Sequence, residues 1–314
     1  MTKFVYYGII YQKYTLTNKE LRVISVKIED IKEVCVVGAG QMGRQIALNC
    51  ALYGYETYLH ECISQDYSQI IAWSDEYLQG RVAKEKLTAE QAAEAKSKLH
   101  FTQTLSEATD GVQLLIEAIL EDKDAKEQFF KKANACLSKD VIIASNSSYI
   151  GSSVFKDCVD NPARLANMHY FNPALAMRLV EVIKGEHTAD ETVSALMDFA
   201  RRTGKTPILV NKEIDGFVVN RILRAIRDEA FFLIEQGVCS PQDLDTGVEL
   251  GLNHPMGPFR LLDLTGIDLN YLSGKRRLEE TGIKPNGLDI VKEMYEKKEW
   301  GRKTGKGFYE YEKK

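Results

Sequence analysis

The chain lacks the marks of a secreted, metal-stapled or membrane-spanning protein. Of its 314 residues only six are cysteine (Cys35, Cys50, Cys62, Cys136, Cys158 and Cys239). None forms a C-x-x-C, and none has a histidine beside it at metal-ligand spacing. They read as reduced packing thiols of a cytoplasmic protein, and no metal site is expected. No apolar run approaches the roughly 20 residues that a membrane-spanning helix needs, so a soluble protein without a membrane partner is expected. Basic and acidic residues nearly balance, at 41 against 45. The clustered positive charge that nucleic acid demands is missing, and any anionic ligand must be held by a few local groups.

The first 30 residues, MTKFVYYGIIYQKYTLTNKELRVISVKIED, have neither an apolar signal core with a cleavage site nor the Arg-rich, acid-poor composition of a transit peptide. They read as a dispensable N-terminal extension. The rest is of ordinary globular composition, 44% hydrophobic and 27% charged, and the chain is long enough for two domains.

From Val34 the pattern is regular. VCVVGAG is a β-branched run ended by glycines, and RQIALNCALYGY continues with helical apolar spacing closed by Gly54. ETYLHE, LLIEAI, VIIASN, RLANMHY, RLVEVI and TPILV read as further strands, the early ones separated by helix-length segments, which implies a parallel sheet covered on both faces. Between the second strand and LLIEAI lies a long helical insert in which Thr88 and Gln91 form a capping box, so a projecting helical pair is expected.

β-like patterning stops after Val210. Ile222, Ile226, Ala230, Leu233 and Ile234 follow the rhythm of one helix face closed by Gly237, and Ser240, Pro241 and Asp243 signal the next helix start. The expected plan is α/β: an extension over residues 1–30, a Rossmann-type dinucleotide-binding domain over 31–212, and an all-helical C-terminal domain over 213–314.

Gly38, Gly40 and Gly43, within the turn Gly38-Ala39-Gly40-Gln41-Met42-Gly43, make a G-x-G-x-x-G directly between a strand and a helix. Glycines there permit a tight turn and close approach of a pyrophosphate to the helix N-terminus. The second strand ends at Glu61, whose carboxylate suits ribose hydroxyls and repels a 2′-phosphate, which predicts NAD over NADP.

In MHYFNPALAMRLVEVI, a glutamate, Glu181, stands inside an apolar strand. A buried lone carboxylate is costly, so it needs a partner, and His169 on the neighbouring strand is the natural one. Such a pair orients an imidazole and stabilises its charged form when it takes a proton from a hydroxyl. Taken alone, such a pair is more often structural than catalytic. Ser148 after VIIASN and Asn220 in DGFVVNR can add polar contacts to a reacting oxygen; each also reads as an ordinary helix-start residue.

With these motifs in place, the sequence resembles the L-3-hydroxyacyl-CoA dehydrogenases, including 3-hydroxybutyryl-CoA dehydrogenase. The resemblance runs from about Val34 to Tyr311, through VCVVGAGQMG, IEAILEDKDAKEQFF, ASNSS, HYFNPALAMRLVEVI, DGFVVNRIL, NHPMGPF and GRKTGKGFYEY in order. It implies NAD-linked oxidation of an L-3-hydroxyacyl-CoA or the reverse reduction, with His169 as general base, Glu181 as its orienting partner, and Ser148 and Asn220 at the substrate oxygen. It also implies cofactor contacts at Ser148, Glu121, Lys126, Asn172 and Lys303, coenzyme A phosphate contacts at Lys84 and Lys86, and a homodimer through the C-terminal domain.

Two departures stand out. Asp215 precedes Gly216 and Phe217 where the family commonly has proline, and Tyr149 follows Ser148 where it has serine. Two other readings stay open: a dehydrogenase of a non-CoA 3-hydroxy acid, like relatives acting on gulonate or carnitine, and a non-catalytic NAD-binding structural protein. Tyr271 and Lys275 mimic a Y-x-x-x-K dyad but read as surface residues of the helical domain.

Overall fold

The computed structural model describes residues 28–64 and 66–312. Most of the expected extension therefore lies outside the described residues. Two compact units divide between Phe217 and Val218, a few residues beyond the expected boundary.

The first unit is built on an eight-stranded sheet. It contains β1 (Glu33–Val37), α1 (Gln41–Leu52), β2 (Glu56–His60), α2 (Ser68–Ala83), α3 (Ala89–Ser97), β3 (Leu99–Thr102), α4 (Leu105–Thr109), β4 (Leu114–Glu117), α5 (Lys123–Cys136), β5 (Ile142–Ser145), β6 (Leu165–Tyr170), β7 (Leu179–Ile183), α6 (Asp190–Arg202) and β8 (Thr206–Val210). The strand order is β3-β2-β1-β4-β5-β6-β7-β8.

Successive residues of each strand enter opposite cores. Val34 and Val36 of β1, Leu114 and Ile116 of β4, and Ile142 and Ala144 of β5 pack with the apolar faces of α1 and α6. Their neighbours Cys35, Val37, Leu115 and Ile143 pack with Phe129, Phe130 and Ala133 of α5. A sheet covered on both faces needs such unbroken apolar strands, which is why these segments read as short hydrophobic runs.

The expected helical pair is present as α2 and α3. Thr88 Oγ1 accepts from Gln91 N at 3.2 Å, and Gln91 Oε1 accepts from Thr88 N at 2.9 Å, completing the capping box.

Two features differ from the sequence expectation. The strand β3, LHFT, was not foreseen; it is a four-residue edge strand created by pairing with β2. β6 and β7 pair antiparallel, while the other adjacent pairs are parallel. His169 lies within β6, as the strand reading of RLANMHY implies, and pairing with β7 continues through Tyr170.

The second unit is helical: α7 (Val219–Glu235), α8 (Pro241–Gly251), α9 (Pro258–Thr265), α10 (Ile267–Thr281) and α11 (Leu288–Glu296). Ser240 caps α8 by accepting from Asp243 N at 3.1 Å, with Pro241 at the first helical position. Phe231, Phe259 and Phe308 form a ring cluster in its core.

Two buried aspartates tie the NHPMGPF and GRKTGKGFYEY segments into this unit. Asp245 accepts from Phe259 N and Arg260 N, both at 2.9 Å, and from the Tyr309 hydroxyl at 2.8 Å. Asp263 accepts from Phe308 N and Tyr309 N, both at 3.0 Å. Tyr271 is not the surface residue expected: it is half-buried, its ring tilted against that of Tyr295 with centroids 4.8 Å apart, and it packs against the core. No helix among the described residues is long and apolar enough to cross a membrane.

Candidate active site

The nucleotide turn joins β1 to α1. Gly38 has φ +97°, and a Cβ there would lie 2.5 Å from the Ala118 carbonyl oxygen; on Gly43 it would lie 1.7 Å from that of Gly38. These two glycines are required by the protein's own packing. Gly40 differs, since a Cβ on it would meet nothing within 4 Å. The turn opens on a cavity of about 700 Å³ that includes Gly38, Gly40, Gln41, Met42 and Glu61 in its lining.

Glu61 Oε2 accepts from Ala39 N at 2.8 Å, so the carboxylate lies against the turn. A dinucleotide fits these residues: an unobstructed Gly40, a helix N-terminus for the pyrophosphate, and an acid suited to a ribose. Gln41 Nε2 donates to Asn172 Oδ1 at 3.1 Å, which brings the loop after β6 to the same turn.

Beside the cavity, two carboxylates share one ammonium. Lys126, 1% exposed, reaches Glu117 Oε1 and stands 3.3 Å from Glu121 Oε2, while Glu117 is fully buried and also accepts from Ser145 Oγ at 2.7 Å. The Lys126 ammonium is thus committed to protein carboxylates. Glu121 Oε1 accepts from Ser147 Oγ at 2.6 Å, Ser148 N at 3.0 Å and Tyr149 N at 3.1 Å. Burial works to raise the Glu121 carboxyl, but Lys126 and these three donors together hold it below the usual carboxylate value. The loop carrying Ser148 is therefore fixed from beneath by Glu121, a contact the sequence reading did not include.

His169 and Glu181 are register partners, and His169 Nδ1 lies 2.8 Å from Glu181 Oε2. Both are buried. A carboxylate only accepts, so Nδ1 carries the proton and Nε2 is left as the basic nitrogen. Phe171 and Phe217 flank the imidazole at centroid distances of 4.6 and 5.7 Å. Asn146 Oδ1 accepts from Tyr170 N at 2.9 Å, tying the end of β5 to β6. Ser148 and His169 thereby stand at the carboxyl ends of adjacent parallel strands, where ligands of open α/β sheets bind.

Lys84 and Lys86 line two adjoining cavities of about 660 and 430 Å³. Arg81 and Tyr77 border both, and Arg178 borders the second. Arg81 was not singled out from the sequence, although its spacing to Lys84 places both on one side of α2. Lys205 is buried beneath the same loop, its ammonium donating to the carbonyls of Ala174 and of Met177, the latter at 3.1 Å. Asn220 on the first turn of α7 and Lys303 belong to the second unit, where Lys303 pairs with Asp268.

Residues 33–214 match the family model described as 3-hydroxyacyl-CoA dehydrogenase, NAD binding domain, and residues 216–311 match the C-terminal domain of the same family. The chain belongs to the 3-hydroxyacyl-CoA dehydrogenase family. As a member it is an NAD-dependent dehydrogenase of 3-hydroxyacyl-CoA. It is 34% identical over 289 residues to a probable 3-hydroxybutyryl-CoA dehydrogenase of Bacillus subtilis, covering 91% of this chain and 99% of that one. It is 32% identical to the human mitochondrial hydroxyacyl-coenzyme A dehydrogenase, covering 90% of this chain and 91% of that one. The crystal structure of (S)-3-hydroxybutyryl-CoA dehydrogenase from Ralstonia eutropha superposes with a TM-score of 0.82 at 35% identity, over 90% of this chain and all of that one. Membership in a family of dehydrogenases gives the buried His169–Glu181 pair a chemical context that such a pair does not have by itself.

Proposed function

We propose that the chain interconverts short-chain L-3-hydroxyacyl-CoA, of the 3-hydroxybutyryl type, and the 3-ketoacyl-CoA, with His169 as general acid and base. The observation that carries this reading is the fully buried Glu181 carboxylate 2.8 Å from His169 Nδ1. It fixes the tautomer whose Nε2 takes the proton of the substrate 3-hydroxyl, and its negative charge stabilises the imidazolium that results. Ser148, held by Glu121, orients the reacting oxygen, and the family resemblance gives Asn220 the same role. NAD, when bound, supplies the acceptor for the hydride leaving carbon 3.

Gly40 and Glu61 hold the pyrophosphate and adenosine ribose, with Ala39, Gln41, Met42 and Asn172 shaping the same cleft; Lys303 is a cofactor contact on the family resemblance alone. Arg81, Lys84 and Lys86 supply the positive charge for coenzyme A phosphates. This group of cations favours a CoA thioester over a free 3-hydroxy acid.

The second unit leaves apolar side chains such as Ile222, Leu250, Leu252 and Leu269 exposed, Leu250 by 82%. These support a homodimer through that unit, and sedimentation of the full chain tests it. A reducing, cytoplasmic setting accords with six free thiols.

The deciding experiment is NADH oxidation with acetoacetyl-CoA and with acetoacetate. Wild type is expected to turn over the thioester and to show little activity on the free acid. His169→Gln is expected to lose about 10²- to 10⁴-fold in kcat while still binding NADH. Near-normal turnover in that variant overturns the assignment.

A further inference from the structure

The His169–Glu181 hydrogen bond fixes the imidazole at one atom only. A ring held by one nitrogen still pivots about that contact, and proton transfer needs the opposite nitrogen held in direction as well as in tautomer. Something must grip the faces of the ring.

Two aromatic side chains do so. Phe171, two residues along the chain, lies 4.6 Å from the imidazole centroid with the planes at 53°. Phe217, forty-eight residues along, lies 5.7 Å away with the planes at 56°. Both are the tilted arrangements that aromatic pairs favour over a face-to-face sandwich. They form a notch around His169.

Phe217 reaches this place at a backbone cost. Its φ is +49°, directly after Gly216 at φ +72°, so two consecutive residues are left-handed and the second carries a bulky ring. Glycine is the residue that such a conformation favours, and a side chain there persists only where its surroundings over-determine it. The surroundings are specific. The ring is 1% exposed and clusters with Ile183 of β7, the strand that carries Glu181, and Val210 of β8, the parallel strand paired with it.

The turn that delivers the ring is pinned at both ends. Phe217 N donates to the Ile214 carbonyl at 3.0 Å. Just ahead of it, Glu213 Oε1 accepts from Ser152 Oγ at 2.7 Å and Ser153 N at 3.0 Å. The Glu213 carboxylate sits where Gly151 and Gly185 leave room, since a Cβ on either would come within 2.9 and 3.1 Å of it.

From this geometry we propose that Phe217 is a positioning residue for His169: with Phe171 it forms an aromatic notch that holds the imidazole plane, so that the Glu181 contact directs Nε2 rather than merely tethering the ring. The inference rests on the reading of His169 as the base. It assigns the strained Gly216-Phe217 turn to turnover rather than to chain connection.

The test compares wild type with Phe217→Leu and Phe217→Met, which keep apolar bulk but remove the flat ring. If one variant folds poorly the other serves, and turnover is counted per folded molecule. With acetoacetyl-CoA and NADH, kcat is expected to fall on the order of 10-fold, a loss of the scale that small misplacements cause, with both KM values within about twofold of wild type. The His169 ring proton resonances are expected to shift as the Phe217 ring current is lost.

In a His169→Gln background the same Phe217 change is expected to have no further effect on residual turnover, because a residue acting through another is not additive with it. A lower melting temperature with unchanged kcat per folded molecule overturns the inference, and so does an equal fractional loss in both backgrounds. If His169→Gln itself retains turnover, the base assignment has failed instead.

Discussion

Glu181 faces His169 across the antiparallel seam between β6 and β7, register partner to register partner, with 2.8 Å between Oε2 and Nδ1. The carboxylate is fully buried, so its charge is felt by the imidazole with little screening from water.

Glu181→Gln removes that charge and keeps the shape. An amide can also donate to Nδ1, which would move the ring proton to Nε2 and leave no base facing the substrate. We expect kcat to fall on the order of 10²-fold, at the lower end of general-base effects, with NADH affinity unchanged by fluorescence titration.

Lys126→Met leaves the buried Glu117 without its cation. Breaking a buried pair from one side costs about 3 to 5 kcal/mol, because the remaining charge is uncompensated. Urea unfolding should register that loss, and adding Glu117→Gln should restore much of it. Equal stability of the single and double variants would contradict the account.

Glu121 sets an acid limit. Lys126 and the three donors hold its folded-state pKa below the usual carboxylate value, so its contribution to stability is present above that usual value and is lost as pH falls through the lowered one. Urea midpoints of wild type and Glu121→Gln should therefore differ most near neutrality and converge only once the pH has fallen through that lowered value. A difference that grows with acid would show the sign to be wrong.

The three glycines of the nucleotide turn separate fold from function. Gly43→Ala should prevent normal folding, since its Cβ would overlap the Gly38 carbonyl at 1.7 Å. Gly40→Ala has open space, so it should fold with an ordinary melting curve but bind NADH on the order of 10-fold more weakly, a loss of about 1.4 kcal/mol. Normal NADH binding by Gly40→Ala would place the pyrophosphate elsewhere.

What could be read without coordinates was local. The glycine turn, the Thr88–Gln91 box and the Ser240-Pro241 helix start each depend on residues a few positions apart. The direction of β7 was also within reach: eight residues separate Tyr170 from Leu179, too few for the crossover that parallel neighbours require. The strand β3 was not. LHFT has no distinctive alternation and becomes a strand only because β2 offers it an open edge.

The sequence by itself determined that the chain has a dinucleotide turn followed by an acid at the second strand's end, a carboxylate hidden in an apolar strand, and a helical C-terminal domain. Those facts come from residue type and short spacing. Only the tertiary structure decided how groups meet: strand register set His169 Nδ1 against the Glu181 carboxylate for which it was the natural partner, Glu121 met the loop of Ser148, and Phe217 met the imidazole. Residues distant in sequence become neighbours only when the sheet order is fixed, and burial then decides whether a charge is a solvated ornament or a partner held within 3 Å.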